Sequence, residues 1–139
     1  MKDLMNNIHP GTPGVATVTD NTAVVSGIAD MAGYASLVFL IAAGTLADAD
    51  ATFTVLVEEG DASNLSDAAA VADADLVGTE ALAGFQFDDD TESRKVGYIG
   101  GKRYVRCTVT PANNTGSAPI AIIPVLGNPN HHPTANPPA

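Results

Sequence analysis

Apolar and polar residues alternate along much of the chain, and the alternation predicts strands. The cleanest is Ala51 to Glu58, where Phe53, Val55 and Val57 take turns with Thr52, Thr54 and Leu56. Tyr104 to Thr110 repeats the pattern. Val105, Cys107 and Val109 point one way; Tyr104, Arg106, Thr108 and Thr110 point the other. Tyr34 to Ala43 differs, being apolar for seven residues without a break between Gly33 and Gly44. Such a run fits a strand buried on both faces or a short helix, and Val38, Phe39 and Ile41 favour the strand. Val15 to Val18, Thr22 to Asp30 and Leu76 to Phe87 predict further strands. Leu82, Phe85 and Phe87 are core candidates in the last of these, with Gly84 as a bulge. Gly97 to Thr110 reads as a hairpin whose Gly100-Gly101 turn supplies positive φ angles. A final strand runs from Ile120 to Leu126, and Pro124 within it predicts a sheet edge.

Between these stretches the punctuation is dense. Gly and Pro number 13 and 9 and are spread along the chain, which suits many short strands better than a helical bundle. Residues 62–75 are rich in alanine and nearly free of β-branched residues. They predict one short helix, capped by Ser63 or Ser66 and running through Val71, in a crossing between two sheets. Residues 1–14 and 128–139 carry proline and little periodicity and read as extended arms. The expectation is an all-β, jelly-roll-like sandwich of about eight strands over 15–127, with one short helix and two arms. One domain suits a length of 139 residues.

Charge narrows the partners. The net charge of −10 disfavours nucleic acid and anionic membranes. MKDLMNNIHP has no apolar run of the kind a signal peptide needs, which predicts a soluble protein of the cytoplasm in which it is made. Cys107 has no second cysteine to pair with, and its strand position predicts a small buried hydrophobe. Candidate chemistry is sparse. Asp88-Asp89-Asp90 with Glu92 lacks the remainder of a calcium loop and reads as a solvated turn. His131-His132 and His9 sit beside prolines, without the three or four ligands a metal needs. There is no nucleophile elbow and no glycine-rich loop opening a helix. Neither an enzyme nor a cofactor is expected.

Five of the six basic residues crowd into thirteen positions: Arg94, Lys95, Lys102, Arg103 and Arg106. On paired strands they would share one surface, with Tyr104 among them. Two readings stand side by side: the bases neutralise the protein's own acids, or they form a contact patch for an acidic protein surface.

Five segments carry a resemblance. They are MAGYASLVFLIAAGTL, ADATFTVLVEEGD, DAAAVADADLVGTE, KVGYIGGKRYVRCTVTPANNTGSA and a closing VLGNP, spanning about residues 24–129. Together they resemble a family of small tailed-phage structural proteins, the cement or decoration proteins. The resemblance implies a jelly-roll-like sandwich on the outside of a virion capsid. Its partners would be the major capsid protein and further copies of itself, as a dimer or trimer. It offers no catalytic residues. Other virion roles (head closure, tail or fibre base) and a carbohydrate-binding sandwich are the alternatives.

Overall fold

The computed structural model describes residues 2–138. In chain order its elements are β1 (Ile8–Pro10), β2 (Gly14–Val18), β3 (Val24–Val25), β4 (Ala29–Asp30), β5 (Tyr34–Ala43), β6 (Thr52–Gly60), β7 (Ala69–Ala70), β8 (Leu76–Val77), α1 (Glu80–Ala83), β9 (Phe85–Gln86), β10 (Ser93–Tyr98), β11 (Tyr104–Ala112) and β12 (Ala118–Pro129). Long strands in succession change sheet. The front sheet runs β1-β12-β5-β10-β8, with β2 also on β12. The back sheet runs β3-β11-β6-β7, with β4 on β11 and β9 on β6. The orders β2-β12-β5-β10 and β3-β11-β6-β9 are those of a jelly roll. The all-β sandwich expected from the alternation is present.

The core fills the space between the sheets with one residue in two from each strand. Leu37, Phe39, Ile41, Val96, Tyr98, Ile120 and Ile122 come from the front; Phe53, Val55, Val57, Val105, Cys107 and Val109 come from the back. Phe85 stacks on Phe53 with ring centroids 4.7 Å apart. α1 packs against both β6 and β10 along one open side of the sandwich. On the other side β2 meets β3 so closely that a Cβ on Gly14 would stand 2.1 Å from the carbonyl oxygen of Val25.

Several local expectations are corrected. Gly97 to Thr110 is not a hairpin: β10 pairs with β5 and β8, β11 with β3, β4 and β6. Ile99 to Arg103 form an arch between sheets, and Gly100 and Gly101 have no positive φ. Glycine at 100 answers to space, since a Cβ would lie 2.6 Å from the Tyr98 hydroxyl oxygen. The Thr22–Asp30 strand is split, because buried Ser26 interrupts the ladder. Its hydroxyl accepts from the Cys107 amide at 3.0 Å while its own N–H donates to the Cys107 carbonyl.

No helix forms over 62–71. Asp67 accepts from the amides of Asp61 and Ala62, and Asn64 from that of Ser66, so side chains satisfy the backbone locally. The helix is α1 instead, with Thr79 accepting from the Leu82 amide at 3.0 Å. Leu82 and Phe87, expected in the core, are exposed, while Phe85 is buried.

β12 is central rather than an edge. Pro124 is tolerated because its carbonyl side, and hence its missing N–H, faces the break between β1 and β2, where Gly11 donates to the Pro124 oxygen at 2.7 Å. The two stretches expected as extended arms are neither extended throughout nor detached: Met5–Asn7 form a turn of 3-10 helix. Ile8–Pro10 pairs with β12, which itself runs to Pro129. Thr134 donates its hydroxyl to the Ile8 carbonyl at 2.6 Å.

Candidate docking face

The arch splits the basic cluster. Arg94 and Lys95 lie on the front sheet; Tyr104 and Arg106 lie on the outer side of the back sheet, with Lys102 and Arg103 in the arch before them. Four of the five bases are engaged within the chain. Arg94 pairs with Asp89 and Glu92, and Lys102 with Asp61. Arg103 grips Asp30 through Nε at 2.8 Å and Nη2 at 3.1 Å, and lies over the Tyr104 ring. Arg106 meets Glu58, its cross-strand neighbour, at 3.2 Å. The Arg103 guanidinium holds the Asp30 carboxyl below the usual aspartate range. The six residues predicted as one contact surface are therefore dispersed, and the neutralising reading describes Arg94, Lys102, Arg103 and Arg106. Lys95 and Lys2 are the bases without a carboxylate partner among the described residues.

Tyr98 holds the arch in place. Its hydroxyl donates to Glu59 on β6 and accepts from the Lys102 amide at 2.9 Å. Burial, with the Glu59 carboxylate beside it, pushes the phenol well above its ordinary value. The Cys107 thiol is buried as expected and is pushed up to about 12 by desolvation, with the Glu80 charge adding to it. Neither group is poised for chemistry. Asp89 and Asp90 accept from the amides of Gln86 and Leu46, so that turn is held by its own carboxylates. Among the described residues no three His, Cys, Asp or Glu side chains gather as metal ligands, and no helix is long and apolar enough to cross a membrane.

The surface that sequence reasoning missed is the outer side of the front sheet. β5 is not buried on both faces: Leu37, Phe39 and Ile41 point inward, while half-buried Val38 and exposed Leu40 point outward. The register places Val125, Val38, Gly97 and Val77 in one row across four strands, with Ile123, Leu40 and Lys95 in the next. Val15, Ala121 and Ala42 follow. Val15 is 71% exposed, Leu40 41%, Val77 57% and Ile99 61%. None of the sixteen acids occupies an outward position on these strands; Lys95 is the one charge. The signal was present in the unbroken apolar runs of residues 37–43 and 120–126, whose alternate members face outward.

No protein-family model and no curated protein matches the chain. Solved structures give distant likenesses. The enzymatically active domain of bacteriophage CBA120 tailspike protein 4 aligns with TM-score 0.46 and 13% identity, over 88% of this chain and 20% of that one. The CBM22-1-GH10 modules of Clostridium thermocellum xylanase 10B, complexed with xylohexaose, align with TM-score 0.44 and 11% identity, over 95% of this chain and 28% of that one. The CBM22-1 xylan-binding domain of Paenibacillus barcinonensis Xyn10C aligns with TM-score 0.44 and 9% identity, over 87% and 85%. The likeness is one of sandwich architecture; no ligand or activity passes from them to this chain.

Proposed function

We propose that the protein is a non-enzymatic structural component of a tailed-phage virion that docks on the capsid exterior and stabilises contacts between capsomers. The observation that carries the docking role is the acid-free apolar outer side of the front sheet on a molecule of net charge −10. Strand spacing and rise make this stripe on the order of 400 Å². Exposed apolar patches of that size on a monomer are often functional. The phage setting comes from the sequence resemblance. A face this small binds weakly by itself, and a repeating shell supplies many simultaneous contacts. Purified virions test the reading. Hundreds of copies per particle are expected in the band ratio to the shell protein, and a handful of copies would refute it. Val15→Asp with Leu40→Asp should leave the fold intact and abolish occupancy.

Carbohydrate binding is the competing reading, and it is the role printed for the xylan-binding module above. It calls for exposed rings that stack on sugars. Here Phe39, Phe53, Phe85 and Tyr98 are buried, Tyr34 leans on His9, Tyr104 lies under Arg103, and Phe87 stands on a turn. These rings share no face. Titration calorimetry with xylohexaose should give no heat; saturable binding would put the glycan reading first.

A further inference from the structure

The docking face carries a hollow of about 400 Å³ between Ser36, Val38, Val77, Lys95 and Ile99. Its floor is Gly97. A Cβ there would stand 3.1 Å from the Val77 Cβ, so any side chain would fill the space. The backbone at Gly97 has no positive φ, so conformation does not demand glycine; the hollow is what glycine provides. Val77 and Ile99 wall it with apolar surface left in water. At its rim stands Lys95, whose cross-strand neighbour on β5 is Leu40. Its four companions from the basic cluster are taken by carboxylates of the chain; Lys95 is not.

Resting on the docking reading, we infer that this hollow anchors an extended segment of a partner protein. A branched aliphatic or aromatic side chain of that segment sits over Gly97, and a carboxylate two residues away meets Lys95. The spacing matches. Gly97 and Lys95 are two residues apart on one strand, about 7 Å, and side chains two apart on an extended guest have the same separation. The apolar part of the guest covers Val77 and Ile99. The carboxylate supplies the one charge the face lacks, in a protein whose own acids all lie elsewhere. A second copy of this chain is a poorer occupant, because it brings another body of net charge −10 against the first.

Amide chemical-shift titration of the full, isotope-labelled chain tests this. The probes are a capped pentapeptide, Thr-Leu-Thr-Glu-Thr, and its Gln counterpart. Shifts are expected at Val77, Lys95, Gly97 and Ile99, with the Glu peptide bound about threefold more tightly than the Gln peptide, as an exposed ion pair allows. Gly97→Val should remove the shifts by filling the hollow. Lys95→Gln, which leaves the packing alone, should equalise the two peptides. Shifts elsewhere or nowhere, equal affinities in the unmodified chain, or peptide-free dimerisation through these same amides would each overturn the inference. The two readings fail separately. A protein that decorates virions but ignores the peptides loses the anchor and keeps the docking role. One that binds the peptides but is absent from virions loses the phage setting alone.

Discussion

At the scale of single residues, Tyr98 carries the most consequence. It is 1% exposed and ties the front sheet to Glu59 of the back sheet and to the arch. Tyr98→Phe keeps the ring but strands a carboxylate and an amide, and should lower unfolding free energy by about 1–3 kcal/mol in chemical denaturation. The same burial shapes the alkaline limit. The folded state raises both the Tyr98 phenol and the Cys107 thiol above their ordinary values of 10.0 and 9.0. A raised value means the folded state holds its proton more tightly. The stability so contributed is complete below the ordinary values and is lost as pH climbs through the raised ones. Stability measured by denaturant melts should thus decline from about pH 9 upward, and Cys107→Ala should delay the onset. Alternation alone placed Cys107 inside. It could not show the bond from Tyr98 to Glu59, which lies 39 residues away in sequence and on the other sheet.

At the scale of elements, strand existence was legible and pairing was not. β6, β11 and β12 stand where periodicity put them. The Gly100-Gly101 turn misled because two glycines between strands fit an arch as well as a hairpin, and the partners of β10 and β11 on separate sheets are a tertiary fact. Pro124 misled because a missing N–H is harmless wherever the neighbouring strand is broken, and that break is a tertiary fact. The terminal stretches misled for a related reason. Proline and weak periodicity marked them as irregular, yet three residues of ladder hold the first, and the end of β12 with the Thr134 bonds to Ile8 and Asn6 holds the second. Deleting residues 1–11 removes β1 and the Gly11 donor to Pro124, leaving the outer edge of β12 open there. The truncated protein should melt at clearly lower temperature by circular dichroism; an unchanged melting temperature would restore the view of a free arm.

At the scale of the molecule, charge and topology act together. Bases close in sequence were expected to be close in space, and the jelly roll sends them to two sheets, where local carboxylates meet most of them. The apolar face has the opposite history. Val15, Val38, Gly97, Val77 and Ile123 are scattered through the chain and become a surface only once the sheet order is known. No reading of separate strands could have assembled it.

That order also places the last long strand, β12, in the middle of the front sheet, between β5 and the N-terminal pair β1 and β2. A growing chain on the ribosome therefore holds β5, its most apolar segment, without its principal neighbour until β12 has been made. Non-local pairing of this kind is slow, and an uncovered strand edge is prone to sticking. β5 thus stays open to other chains until β12 arrives to close it.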